Sequence, residues 1–248
     1  MTTTTKENKE KEIFEAKYLR AQEKRMDILS RVVESCTMLE GKKGRGKTIT
    51  GVALSYNLRE AFNMPTICVG SRMGLIKDIY GPYEFIDERE FLDILENITA
   101  VSKFTPEKQL GLAIDEALKS MGINILGANM VFDESYKLFD SRTPSDKLVR
   151  IFGYLIAQMR HYHLTVLLLT PHRDMVDKRV RRQVDNMGRC FFNKRREKCT
   201  VWLRGGGSTW KMSVNNIDQF GMRPNYYDMY DSWTLLGFRK KHLDIKEM

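Results

Sequence analysis

At 248 residues and 42% hydrophobic, the chain can bury one substantial core and suits a single α/β domain with additions. The formal net charge of +9 makes nucleic acid or an anionic membrane the partners to consider. No apolar run reaches the roughly 18 residues of a membrane span, and the polar start Met1-Thr2-Thr3-Thr4-Thr5-Lys6 is no signal peptide, so a cytosolic protein is expected.

Residues 6–31 are dense in Lys, Glu and Arg, with Ile13, Phe14, Tyr18, Leu19, Met26 and Ile28 as sparse apolar points. They read as a charged helical arm outside the core, either solvated or docked on a neighbouring subunit. Val32 to Leu39 is β-branched and apolar enough for a buried strand. Residues 41–48 then read Gly-Lys-Lys-Gly-Arg-Gly-Lys-Thr, a full G-x-x-x-x-G-K-[ST] phosphate-binding loop. Its glycines let the backbone curl into a nest of N–H groups around a polyphosphate. Lys47 is placed for the β- and γ-phosphates, and the Thr48 hydroxyl is a ligand for Mg²⁺. Apolar residues at helical spacing follow from Ile49 to Arg59, so that a helix N-terminus meets the phosphate. ATP is therefore the expected ligand, held by Gly41, Lys42, Lys43, Gly44, Arg45, Gly46, Lys47, Thr48 and Ile49.

Further along, strands are predicted at Pro65–Gly70 and Ala128–Phe132, and the most apolar strand at Leu164–Leu169. Helices are predicted over 85–98, 107–121 and 148–159. Strands alternating with helices imply a parallel sheet covered on both faces. From residue 189 the texture changes to short antiparallel strands (189–192, 199–203, 209–214) that extend the same sheet. The four cysteines, Cys36, Cys68, Cys190 and Cys199, form no metal spacing and read as packed thiols. Cys190 and Cys199 are expected to face each other across a hairpin centred near Lys194-Arg195. His161 and His163 read as core or surface histidines rather than metal ligands.

A P-loop ATPase needs a carboxylate at a strand end to hold magnesium, and often a neighbouring glutamate for the attacking water. Three Asp-Glu pairs compete. Asp87-Glu88 follows a run broken by Glu84, and Asp115-Glu116 sits mid-helix. Asp133-Glu134 follows the apolar Met130-Val131-Phe132, which favours Asp133 for the metal and Glu134 for catalysis.

The loop, the strand ending in Asp133-Glu134 and the segment Ala157 to Thr170 together resemble the FtsK–HerA ATPases, ring-forming DNA translocases of the RecA-like P-loop class. The small size makes the chain most similar to the genome-packaging ATPases of tailless, membrane-containing icosahedral viruses. Tyr227-Asp228-Met229-Tyr230-Asp231-Ser232 also resembles a segment of such proteins and of Zot-like relatives. The resemblance spans roughly residues 32–180 and implies a RecA-like core, taken as 32–188. Composition and texture set off a charged helical arm over 1–31 and a hairpin extension with a C-terminal tail of the same domain over 189–248. The resemblance places Arg160 where the family keeps an arginine finger acting in trans on a neighbour's site, with a solvated helix-end arginine as the alternative. The family often reads Thr-Gln after the strand before residue 170. Here the chain reads Thr170-Pro171-His172-Arg173, so Thr170 or His172 senses the γ-phosphate, or the sensor is missing.

Between His172 and Arg204 lie eleven Lys/Arg against four acids, which is +7 of the net charge. Lys194, Arg195 and Arg196, at a hairpin tip, are placed to reach DNA phosphates, with a charge-protected sheet edge as the alternative. The function that the resemblance implies is ATP-driven translocation of double-stranded DNA into a capsid by a homo-oligomeric ring of five or six subunits. A capsid or portal-vertex protein would be its partner, and host cytoplasm or virion vertex its location. The alternatives are a plasmid or cellular DNA-pumping ATPase, and a Zot-like morphogenesis protein, a group that commonly carries a membrane segment not found here. An alternative of another class is a nucleotide-dependent interaction module without sustained hydrolysis.

Overall fold

The structure, a computed structural model, describes residues 2–70, 73–102, 109–142, 146–193, 198–214 and 226–230. Among these, eight strands form one sheet in an α/β fold: β1 (Cys36–Glu40), β2 (Thr66–Val69), β3 (Glu84–Ile86), β4 (Asn129–Phe132), β5 (Thr165–Thr170), β6 (Asn186–Asn193), β7 (Lys198–Gly205) and β8 (Ser208–Val214). Their order across the sheet is β3-β2-β4-β5-β1-β6-β7-β8. The pairings from β3 to β6 are parallel, and β6–β7 and β7–β8 are antiparallel. The four strands β1, β2, β4 and β5 are buried along their whole length. Burial on both faces is why they read as continuous apolar runs instead of alternating ones.

Helices cover the two faces. On one, α4 (Glu88–Ser102), α5 (Leu110–Ser120), α6 (Asp146–Gln158) and the short α7 (Lys178–Arg181) pack over Met38, Ile67, Met130, Phe132, Val166 and Leu168. Four aromatic rings knit this layer together. Phe152 stacks on Phe139 at 4.1 Å between ring centroids and meets Phe132 edge-on at 5.1 Å, with Phe91 alongside. On the other face, α2 (Lys47–Phe62) and the end of α1 (Thr2–Val32) pack over Leu39, Cys68, Val131 and Leu169, and also over Cys190, Val201 and Leu203 of the hairpins. A short α3 (Lys77–Tyr80) leads toward β3.

Several elements differ from the sequence expectation. The strand expected from Val32 begins only at Cys36, because α1 runs on to Val32 and buries Ile28, Leu29 and Val32. Glu34 then takes φ 53°, and the Ser35 hydroxyl donates to the Val32 carbonyl at 2.7 Å, closing the turn into β1. The start of the helix expected over 85–98 is instead β3, with α4 beginning at Glu88. As an edge strand, β3 leaves Glu84 exposed and only Ile86 buried, so its polarity hid it. Cys190 and Cys199 do not oppose each other: Cys190 pairs with Val201, and Cys199 with Phe192. Both are buried free thiols on the same face of the hairpin. The change of texture at residue 189 falls inside β6, where its pairing with β1 ends.

Replacing Phe152, the ring shared by this aromatic layer, tests the packing. Phe152→Ala should lower stability by about 3–5 kcal/mol, as buried aromatic deletions do. Urea unfolding would register this as a lower midpoint at unchanged slope.

Candidate functional site

The loop leaves β1 at Glu40 along the C-terminal ends of the parallel strands. Gly41 N–H donates to the Thr170 carbonyl of β5 at 3.2 Å, and Arg45 N–H donates to the Lys42 carbonyl at 3.1 Å. Gly44 and Gly46 take φ 74° and 85°, the left-handed conformation that glycine adopts without strain. Space lies open where a Cβ of Gly44 would stand, whereas a Cβ on Gly46 would collide with Cys199 Sγ. The α2 N-terminus has no side-chain cap and no acid in its first turn. Its unpartnered N–H groups and positive dipole end suit an anion.

The loop rests on a small polar floor. Thr50 Oγ1 donates to the Gly46 carbonyl at 2.7 Å and lies 3.3 Å from Cys199 Sγ, which itself donates to the Gly46 carbonyl at 3.4 Å. Cys190 Sγ reaches Thr50 Oγ1 from the neighbouring strand at 3.8 Å. Both thiols are pushed up by burial, Cys190 to about 12, and so serve as weak donors and packing atoms.

Asp133 and Glu134 follow β4, one strand beyond β5. Asp133 is buried, and its Oδ1 accepts the Glu134 N–H at 3.0 Å. Glu134 has φ 53°, and its half-exposed carboxylate pairs with the Lys137 ammonium. Ser135 fixes the turn by donating from its N–H and its hydroxyl to the Leu169 carbonyl at 2.9 and 3.1 Å. Burial, with the Glu134 charge added, pushes the Asp133 carboxyl up to about 6. Burial lowers Lys47, against the opposing pull of Asp133 and other neighbours. A desolvated acid and a desolvated amine thus sit within electrostatic reach of each other beside an uncapped helix. That donor set fits a polyphosphate with a divalent cation, with Thr48 and Asp133 the residues that would hold the metal. Of the rival acids, Asp87-Glu88 does follow a strand, but β3 is at the sheet edge, four strand positions from β1. Asp115 lies in α5 and pairs with Lys119 at 2.7 Å.

The other candidate residues are less concentrated. Thr170 ends β5 beside the loop, buried, with its hydroxyl donating to the His172 carbonyl at 3.0 Å. The exposed His172 ring accepts the Asp174 N–H at 3.3 Å and lines a 330 Å³ cavity with Gly41, Lys42, Arg45 and Phe191. Arg160 lies in the 3₁₀ turn Met159–Tyr162 before β5, at the opposite end of that strand from the loop. Six strand residues span roughly 20 Å, which keeps Arg160 out of reach of the loop of its own chain. Lys194, Arg195 and Arg196 lie outside the described residues. Sequence reasoning missed Glu40, which binds Arg189 at 3.0 Å beside the loop, and the Cys199 floor. It also passed over Tyr230 as a neighbour of the site; burial raises its pKa, and the charge of Asp133 adds to the shift. An acid ending an apolar strand, followed by basic strands, is a visible signal for Glu40; the thiol contact has none.

Comparison with known proteins bears on this geometry. The family model described as zonular occludens toxin (Zot) matches residues 35–234. The chain belongs to the Zot family. That span takes in the loop, the Asp133-Glu134 turn and the Tyr226–Tyr230 segment, and it accords with the FtsK–HerA resemblance of these motifs. Similar solved structures include the N-terminal domain of zonular occludens toxin from Neisseria meningitidis, at 15% identity and TM-score 0.48, covering 80% of this chain and all of that one. The DNA-packaging ATPase of Sulfolobus turreted icosahedral virus aligns at 14% identity and TM-score 0.47, over 75% of this chain and all of that one. The pCW3 conjugation coupling protein TcpA aligns at 15% and 0.47, over 76% of this chain and 62% of that one. No curated protein sequence matches the chain.

The raised Asp133 sets a pH signature for this Zot-family chain. Its folded pKa, about 6, exceeds the unfolded value of 3.8, so the folded state holds the proton more tightly. Stability from this group is therefore lost as pH rises through that window. In EDTA and without nucleotide, Asp133→Asn should stabilise the protein at pH 7.5 by up to about 3 kcal/mol, and at pH 4 by only about 0.5 kcal/mol. Equal urea midpoints for variant and parent at pH 7.5 would show that the carboxylate carries no burial penalty.

Proposed function

We propose that the chain is a magnesium-dependent ATPase that moves double-stranded DNA as a homo-oligomeric ring of five or six subunits. The reading extends to packaging a viral genome, with a capsid or portal-vertex protein as partner, in the host cytoplasm and at the virion vertex. The observation that carries it is the uncapped glycine nest at α2, facing Lys47 and the buried Asp133. The basic segment from His172 to Arg204 supports DNA as the polymer moved.

In this reading Lys47 and the first-turn N–H groups of α2 bind the β- and γ-phosphates. Thr48 and Asp133 would hold Mg²⁺, which when bound neutralises charge on the phosphate oxygens. Glu134, once released from Lys137, orients the attacking water and accepts its proton. Arg160, too far from its own site, acts on a neighbour's. A second reading, a Zot-like role in particle morphogenesis, is favoured by the family match over residues 35–234. It keeps the same ATPase, but its turnover would not respond to DNA.

Steady-state turnover with and without duplex DNA tests both readings. Lys47→Ala should abolish hydrolysis and weaken nucleotide binding, whereas Glu134→Gln should bind ATP and stall. Undiminished turnover in Lys47→Ala would remove the ATPase reading, and turnover indifferent to DNA would favour the morphogenesis role. A nucleotide-dependent interaction module would bind ATP with no sustained turnover in the parent protein.

The ring is tested by mixing. Arg160→Ala and Glu134→Gln should each be inactive, yet together recover part of the activity where an intact Glu134 faces an intact Arg160. Mass measurement must first demonstrate mixed assemblies; with that shown, absence of rescue at every ratio would sink the trans role.

A further inference from the structure

Among the described residues, one face of the β6–β8 hairpins is left bare by the helices. The layer formed by α4 to α7 takes in Met187 of β6 but no residue of β7 or β8. The opposite face carries Cys190, Cys199, Val201, Leu203, Met212 and Val214 into the core. By strand alternation the bare face presents Arg189 and Phe191 from β6, Lys198, Thr200, Trp202 and Arg204 from β7, and Lys211 from β8. Phe191 and Trp202 are 44% and 46% exposed, although single-residue exposure of apolar groups is ordinary. Their setting is not ordinary. Both rings stand on one antiparallel surface among cations, and the three strands contain no Asp or Glu.

Register fixes their spacing. Phe191 is opposite Thr200, and Trp202 is opposite Arg189 and Lys211, so the two rings are diagonal neighbours. Diagonal positions stand about 7–8 Å apart, roughly twice the 3.4 Å rise of stacked bases along a strand. Each ring can therefore take its own base. Around them an open depression of 560 Å³ is lined by Arg45, Phe191, Lys198, Thr200, Trp202 and Lys211. The Lys211 ammonium lies over the Trp202 ring at 5.2 Å. An exposed contact of this kind is weak, and a base can displace the ammonium toward a neighbouring phosphate.

We propose that this face binds single-stranded nucleic acid, with bases stacked on Phe191 and Trp202 and phosphates paired with Lys198, Arg204 and Lys211. Such binding is sequence-tolerant, because every base offers a π-face. It excludes duplex from the stacking positions, because paired bases do not expose theirs. The site needs no hydrolysis, so its failure would leave the ATPase reading untouched.

The test uses the full chain without nucleotide, a fluorescein-labelled oligothymidylate, and a duplex of equal length. Trp202→Ala should weaken oligothymidylate binding at least about 5-fold while leaving the salt slope and duplex binding unchanged. Trp202→Phe should restore most of the affinity. Lys211→Ser should flatten the slope of log K against log salt by about 0.7. Basal ATP turnover should be unchanged in both Trp202→Ala and Lys211→Ser. An unaltered oligothymidylate affinity in Trp202→Ala, or an equal loss on duplex, overturns the proposal. Unaltered affinity with a fall in particle mass would reassign the face to contact between copies of the chain. Unaltered affinity with weaker ATP binding would reassign it to the nucleotide base.

Discussion

The structure depends on one close approach, the Gly46 backbone lying on Cys199 Sγ. The approach sets the start of α2, since Gly46 is the residue from which that helix departs in the left-handed conformation. It also ties the nucleotide loop to β7, a strand contributed more than 150 residues later. A larger residue at 46 would meet two costs at once, a strained φ and a collision with the thiol. The loop's third glycine is thus demanded from below by packing as well as from above by the ligand. Thr50, one turn into α2, completes the contact by bridging the Gly46 carbonyl and the two thiols. A helix start held in this way cannot drift from the sheet, which is what a site built on a helix N-terminus requires.

Electrostatics at the site follow from the same burial. Asp133 and Lys47 both lose hydration, and each is displaced from its ordinary pKa toward neutrality. Each partly offsets the other, but neither is fully compensated by the described partners. The ligand that relieves both is anionic toward Lys47 and cationic toward Asp133, as a metal–polyphosphate is. The carboxylate beside them is treated differently: Glu134 is half exposed and held by Lys137. Two adjacent acids at one strand end therefore occupy distinct environments, and the proposed division into metal ligand and base rests on that difference.

Much of this was legible in the sequence because it rests on local pattern. The glycine loop and the continuous apolar runs of β4 and β5 each carry their signal in consecutive residues. β3 was not legible, because an edge strand with one buried side chain lacks an apolar run. The junction at Val32–Ser35 was misread because β-branched residues suit either a strand or the buried end of a helix; only Ile28 and Leu29, packed one turn back, decide it. The pairing of Cys199 with Phe192 rather than Cys190 is a matter of register, and register is set by turn length instead of residue type. The Cys199–Gly46 contact joins residues far apart in sequence, and no local pattern announces it.

β6 is the element that joins the loop to the proposed nucleic-acid face. Its first half is a parallel partner of β1, the strand that delivers the loop, and its whole length pairs with β7. Successive residues divide the labour. Arg189 binds Glu40 at the base of the loop, Cys190 supports Thr50 from beneath, and Phe191 points to the bare face. Arg45, on the loop itself, lines the same depression as Phe191 and Trp202. Phe191 lies beyond the β1 pairing and is held by β7 alone, whereas Arg189, two residues back, is paired on both edges. Cys190 is the next residue back, and its carbonyl stands against Gly41 where the loop begins. Coupling between a polymer on the bare face and phosphates in the loop would therefore need no moving domain. Three successive residues of one strand carry the contacts of each.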